Sequence, residues 1–378
     1  MTWLSHLEEQ AAQRDAAGLR RELRPRSPDD GLIDLAGNDY LGLAGHPDVI
    51  AAASRALKEY GLGATASRLV RGTTDIHAEL ESALATLLRC EAALVYSSGY
   101  LANLGAVRAL ASRIVASDAH NHASLVDGCR IASAGRNGVP TVVYQHASPS
   151  ALDDVLSTAG VAITESVFSV HGDLAPLPEL HAVARRHSSV LLVDDAHGVG
   201  VIGPDGGGGV VAAGLGGAPD VVVTATLSKA FGAAGGVVAG PAVFIRHLVE
   251  TSRTFIYDTG LPPATAAGAL AALELIRSGV GDAARATLAD RAALACVRLA
   301  EAGLEVRPPA GGVLSVSAPG PDEAVAWARA CRDRGVAVGC FRPPSTPDGE
   351  SRLRLTINAG VPEADFNSAL ETIVAVAP

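Results

Sequence analysis

Lys229 stands alone. It is the single charged residue between Asp220 and Arg246, in the run Thr226-Leu-Ser-Lys-Ala-Phe-Gly232 that follows the β-rich stretch Val221 to Val223. An ammonium set among Ala, Phe and Gly loses solvation, so its pKa falls and its amine becomes a usable nucleophile or base. A Schiff-base lysine needs that environment. A lone lysine on a turn is more often a surface group, and the counterweight is a set of polar residues at other strand ends.

Asp194-Asp-Ala-His197 closes the apolar run Val190 to Val193. A carboxylate there can pair with a protonated pyridine nitrogen and turn the ring into an electron sink, with His197 in reach of a phenolic oxygen on the same ring. Helix capping by Asp195 explains the same residues more simply, and metal binding by His120, His122, Asp194 and His197 is a third reading. His122, in His120-Asn-His-Ala-Ser124, offers a flat ring for stacking. Ser97-Ser-Gly-Tyr-Leu-Ala-Asn103 reads as a strand, a small-residue turn and a helix start, whose free N–H groups and dipole suit a phosphate. The run Gly203 to Gly209 is richer in glycine but lacks the Lys-Ser/Thr of a nucleotide P-loop, and reads as a flexible turn.

In Arg352-Leu-Arg-Leu-Thr356 alternate residues share one strand face. One arginine there can grip a carboxylate bidentately, or merely pair at a sheet edge. Arg20, Arg21, Arg24 and Arg26 end an N-terminal amphipathic helix expected over residues 3 to 24. They suit either the helix dipole or the phosphates of an anionic substrate. One ligand accounts for the phosphate cup, the stacking ring, the carboxylate, the histidine and the lysine together. It is pyridoxal 5′-phosphate, held as a Schiff base on Lys229.

The elements that must position these groups alternate. Strands are expected at Ala93–Tyr96, Ile114–Ser117, Thr141–Tyr144, Val161–Thr164, Val190–Val193, Val221–Thr224 and Val237–Ala239, with helices such as Leu101–Leu110, Ala151–Thr158 and Leu177–Arg186 between them. Continuous Val/Ile/Leu runs alternating with helices mean a mainly parallel sheet covered on both faces. Ligands of such sheets sit beyond the carboxyl ends of the strands, where the polar groups collect. Before this region, helices within His46 to Leu88 are split by the glycine-rich loop Gly61 to Gly72. After it, a helix over Asp282–Ala302, strands near Leu304–Arg307 and Val313–Val316, a helix over Asp322–Arg334 and strands at Val336–Val338 and Arg352–Ile357 read as a smaller α+β domain. The expected division is an N-terminal segment over 1–45 that packs with the small domain, a large α/β domain over 46–280 and the small domain over 281–378.

Composition narrows the class. The chain has 378 residues, 48% of them hydrophobic and 19% charged, as expected of a well-buried globular protein. A net charge of −10 argues against a nucleic-acid binder. Five cysteines without a C-x-x-C pair fit a reducing compartment. No stretch has signal-peptide or membrane-span character, so a cytoplasmic protein is expected.

The motifs in this order resemble the α-oxoamine synthases. They run from Asn38-Asp-Tyr-Leu-Gly-Leu43, through Ser-Ser-Gly-Tyr-x-Ala-Asn, His-x-His-Ala-Ser, Glu165-Ser-Val-Phe-Ser-x-x-Gly-Asp173 and Val-Asp-Asp-Ala-His-Gly, to Thr-x-Ser-Lys-Ala-Phe-Gly and Arg354. The resemblance covers nearly the whole chain. It implies the aspartate-aminotransferase-like fold (fold type I) of pyridoxal-phosphate enzymes, a seven-stranded sheet domain plus a small α+β domain, and a homodimer with active sites at the subunit interface. Ser67-Arg-Leu-Val70 with Gly72, and Asp194-Asp-Ala-His-Gly198, favour the branch that condenses L-alanine with a pimeloyl thioester of coenzyme A or a carrier protein, over branches that use glycine. Gly63-Ala-Thr-Ala-Ser67 has less glycine than relatives often show, which leaves the acyl chain open.

The resemblance also implies roles. Lys229 carries the cofactor and moves the α-proton, Asp194 pairs with the ring nitrogen, and His197 and Ser169 lie near the phenolic oxygen. His122 stacks on the ring. Gly99, Tyr100 and Thr226 hold the phosphate, completed by Thr259 of the other subunit. Arg21 serves the acyl donor's phosphates, and Asn38 and Arg354 serve the substrate carboxylate.

Overall fold

A computed structural model describes residues 2–21, 23–134, 138–343 and 345–378. The strands are β1 (Ile33–Leu35), β2 (Ala92–Tyr96), β3 (Val115–Asp118), β4 (Thr141–Tyr144), β5 (Val161–Glu165), β6 (Val190–Asp194), β7 (Val221–Thr226), β8 (Gly236–Gly240), β9 (Val313–Ser317), β10 (Val336–Phe341) and β11 (Arg352–Thr356). All seven strands expected of the large sheet pair in one sheet, in the order β2-β8-β7-β6-β5-β3-β4. Only β8 runs against its neighbours. This is the mainly parallel α/β sheet that the apolar runs implied. Residues such as Ile163, Leu191, Leu192 and Val193 are fully buried, as strands covered on both faces require.

A second sheet, β1-β10-β11-β9, takes its first strand from the N-terminal segment, with Ile33 opposite Val336 and Leu35 opposite Val338. The helix Gly279–Glu301 precedes it in the chain, and the helix Glu363–Ala375 packs Phe366, Leu370 and Ile373 into its core. That last helix has no counterpart in the sequence reading.

Three expectations are corrected. The N-terminal helix spans Trp3–Ala16 and stops well short of residue 24. Gly18 turns into the left-handed region (φ 65°), and the prolines at 25 and 28 oppose any resumption. The basic residues from Arg20 onward therefore do not sit on a helix end. The strand expected at Leu304–Arg307 reduces to a single bridge, Val306 to Val316. The run Gly203–Gly209 is built rather than loose. Asp195 accepts from the amides of Gly209 (3.0 Å) and Val210 (3.1 Å) at the start of the helix Gly208–Ala212. Gly208 adopts φ 89°, and a Cβ there would stand 2.3 Å from the Asp195 carboxylate. The capping reading of Asp195 thus holds, for a helix further along the chain.

The loop from Gly61 to Gly72 divides the helices Pro47–Tyr60 and Asp75–Leu87 as expected. It is pinned by Arg68, which is buried, pairs with Glu81 at 2.9 Å and donates to the Val95 carbonyl at 3.1 Å.

Candidate active site

The carboxyl ends of β2, β3, β5, β6 and β7 open into one cavity of about 290 Å³, lined by Gly99, Tyr100, His122, Asp194, His197, Thr226 and Lys229 among others. Seven of the residues singled out in the sequence therefore meet in one place. The reason is topological. Parallel strands end on the same edge, and β5 and β6 are in register so that Glu165 faces Asp194.

One wall is the start of the helix Gly99–Leu110. Ser98 caps it, accepting from Leu101 N, and the first amides of any helix lack intrahelical partners. A Cβ at Gly99 would stand 3.1 Å from Thr226 Cβ, so the glycine lets this helix end press against β7. Thr226 Oγ1 donates to the Gly235 carbonyl (3.0 Å), which leaves its oxygen to accept from Ser228 Oγ (2.7 Å) and Ser228 N (3.2 Å).

The opposite wall carries Asp194. Asn103 Nδ2 donates both to Asp194 Oδ2 (2.7 Å) and to Ser124 Oγ (2.8 Å), and Ser124 Oγ lies 2.7 Å from His122 Nδ1. One amide thus links the carboxylate to the hydroxyl that orients the His122 ring. Asn103 and Ser124 had no role in the sequence reading. The signal was present for Asn103: four residues after Gly99 on a helix, it returns to the face that looks at the site.

Lys229 Nζ lies 2.8 Å from His197 Nε2. Burial pushes the ammonium down to about 8, with Asp194 and Glu165 opposing the shift and Arg354 adding to it. Burial, then the positive charges of Lys229 and Arg354, hold His197 well below the usual histidine range, so its ring is neutral. His122 is lowered by burial as well. Glu165, at the end of β5, is pushed well above the carboxylate range by burial and by Asp194. It lines the cavity from the strand end where polar groups were expected to collect, though no role was assigned to it.

Arg354 on β11 donates to Asn38 Oδ1 (2.9 Å) and to the Ser169 carbonyl (3.0 Å), joining three of the expected residues. Ser169 contributes that carbonyl from beside the cavity rather than a side chain inside it. Arg21 is elsewhere, donating to Ser345 Oγ (3.2 Å) and lining a different cavity with Arg14 and Arg342. Thr259 is exposed, bridged to Ser67 and outside this cavity. His120 stacks on His146 at 3.8 Å, and among the described residues no group of three or more His, Cys, Asp or Glu is placed to hold a metal ion.

The cavity fits pyridoxal phosphate by its donor set: a helix N-terminus for a dianion, a buried carboxylate braced by an amide, a flat histidine and a desolvated amine. Comparisons with known proteins agree. The family model "Aminotransferase class I and II" matches residues 30–373. The chain belongs to that family, and within it to the α-oxoamine synthases, which are pyridoxal-phosphate-dependent acyltransferases. It is 50% identical over 384 residues to the 8-amino-7-oxononanoate synthase of Mycolicibacterium paratuberculosis, covering all of this chain and 96% of the relative. The 8-amino-7-oxononanoate synthase of Mycolicibacterium smegmatis is 48% identical with the same coverage. Among solved structures, serine palmitoyltransferase of Sphingomonas wittichii superposes with TM-score 0.90 at 30% identity, covering 100% of this chain and 98% of that one. The 8-amino-7-oxononanoate synthase of Francisella tularensis gives TM-score 0.78 at 27% identity, with 92% and 98% covered.

Proposed function

We propose that the protein makes 8-amino-7-oxononanoate, on the route to biotin, by condensing L-alanine with a pimeloyl thioester and releasing thiol and carbon dioxide. The observation that carries this reading is the convergence of Lys229, Asp194 and His122 on one cavity opposite a helix start, in a chain half identical to proteins named for that product.

When bound, pyridoxal phosphate supplies an electron sink for the pair released at the α-carbon. The protein's residues do the rest. Asp194 holds a proton on the ring nitrogen, which keeps the sink charged, and Asn103 keeps that carboxylate in place. His122 covers one face of the ring and excludes water from it. The amides at Gly99 and Tyr100, with Thr226, bind the phosphate. Lys229 anchors the cofactor and, with its amine near neutrality, takes up and returns the α-proton. Arg354, aimed by Asn38 and Ser169, binds the amino-acid carboxylate until it leaves as carbon dioxide.

We also read the enzyme as a cytoplasmic homodimer. Leu62, Val70 and Tyr257 are 84%, 80% and 71% exposed beside the Ser67–Thr259 bridge, an apolar surface suited to a second subunit. In that assembly Thr259 would reach the partner's phosphate site. Carboxyl-labelled L-alanine tests the reaction. Labelled carbon dioxide is expected only when a pimeloyl thioester is present, and release with glycine and a shorter thioester instead would move the enzyme to a sister activity.

A further inference from the structure

Tyr40, which by sequence is only a turn residue, is fully buried. Its backbone is tied at both ends: its amide donates to the Asn38 carbonyl (2.9 Å), and its carbonyl accepts from Ala359 N (2.8 Å). Its ring lies on Gly312, where a Cβ would come within 2.3 Å of Tyr40 Cδ1. Glycine at 312 is what gives the ring its seat. Held this way, the Tyr40 hydroxyl sits 2.5 Å from His197 Nδ1, with the two rings meeting edge to face at 6.0 Å.

Both nitrogens of a neutral imidazole are therefore engaged, Nδ1 by Tyr40 and Nε2 by Lys229 at 2.8 Å. The proton count then has one solution. A lysine ammonium has three donors and no acceptor, so Nε2 must accept and the single ring proton must lie on Nδ1. Tyr40 receives that proton on its oxygen. A phenol can also do the reverse and donate to Nδ1, which frees Nε2 to offer a proton to an anionic oxygen in the cavity. Burial raises the Tyr40 phenol well above its usual range, so it serves as a neutral donor or acceptor and not as an anion.

We propose that Tyr40 is a positioning residue that holds the His197 ring through Nδ1, accepting its proton while Nε2 faces the Lys229 amine and the cavity. This rests on the placement of Lys229 and His197 in the reacting site, and it assigns work to the N-terminal segment that supplies both Asn38 and Tyr40. A buried ring N–H that loses its partner is left unsatisfied, and the ring is then free to tilt away from its seat.

The test is a long-range 1H–15N spectrum of the uniformly labelled full chain without added cofactor, with His197→Gln to assign the ring. The wild type is expected to show His197 protonated at Nδ1 below about pH 8, where Lys229 is an ammonium. Tyr40→Phe, nearly isosteric, should keep the proton on Nδ1 but move that nitrogen's signal, because the hydrogen bond that it makes is gone. In the loaded enzyme that variant should lose roughly 10- to 100-fold in kcat with little change in KM, by analogy with the outer partners that orient a metal-bound imidazole. Protonation at Nε2 in the wild type, or a His197 signal that Tyr40→Phe leaves in place, would overturn the proposal. In the wild type the Nδ1 proton is also expected to lie downfield and exchange slowly, held by the Tyr40 oxygen, and a freely exchanging Nδ1 proton would overturn the proposal even if the variant folds poorly. The spectrum reads a proton position and not the reaction, so it is independent of which thioester the enzyme uses.

Discussion

Two groups of ionisable side chains sit at the carboxyl edge of the same sheet, and they are built on opposite terms. In the first, His146 lies between two carboxylates, Asp118 at 3.0 Å and Asp173 at 2.8 Å. His120 stacks on it at 3.8 Å, and His171 stacks beyond at 5.4 Å, beside Asp348 and Arg352 from the other sheet's side. Burial works against a charge on His146, but the hydrogen bonds to Asp118 and Asp173 overcome it and raise it to about 9. In the second group, Lys229 faces a neutral histidine and is pushed down to about 8. Charges that hold structure are given their partners. Charges that do chemistry are left short of them, so that a ligand can complete the set.

The contrast can be broken by substitution, beginning with the largest effect. Lys229→Ala should abolish the visible band of bound cofactor and lower condensation by more than the roughly 10²- to 10⁴-fold that a positioned proton carrier is worth. Asp194→Ala should retain some cofactor yet lose roughly 10²- to 10³-fold in kcat, the cost of removing one preorganised charge. Exchange of the alanine α-proton into deuterated water is its direct readout. Arg354→Gln should act on binding, raising KM for the amino acid roughly tenfold or more, as expected when a charge-assisted hydrogen bond is lost.

The smallest effect on activity should come from the other group. His146→Gln should leave turnover within about twofold of wild type, since the residue lies outside the cavity. Its effect belongs to stability. The folded-state pKa of about 9 lies above the ordinary 6.5, so the charged histidine stabilises the fold fully below pH 6.5, and this is lost as pH rises through about 9. Urea unfolding of the two proteins should differ by about 3 kcal/mol near pH 6 and converge above pH 9. A constant difference across that range would mean that the ring matters by packing alone.

Much of this was legible in the sequence, because strand-end chemistry is local. Five strands of the large sheet are short apolar runs with polar residues at or within a few positions of their carboxyl ends, so Asp194, His122 and Lys229 announce themselves by position. Asn38 and Arg354 were legible as a pair only through the order of motifs, since 316 positions separate them. What was not legible depends on long-range packing. Tyr40 looks like a turn residue until Gly312 and Ala359 close around it. Gly203 to Gly209 looks loose until Asp195 is seen to take its amides. Glu165 looks like a solvated strand end until burial beside Asp194 raises its pKa. In each case a partner more than ten residues away sets the environment, and periodicity carries no trace of it.

That this cavity holds pyridoxal phosphate for alanine chemistry can be read in one cuvette, by an absorbance scan of the purified protein with cofactor, on addition of L-alanine and then pimeloyl-CoA, with thiol release followed alongside. A visible band that shifts with L-alanine is expected, with thiol released only when both substrates are present. A protein that shows no band after added cofactor, or whose band ignores L-alanine while thiol release proceeds, would contradict that reading of the cavity.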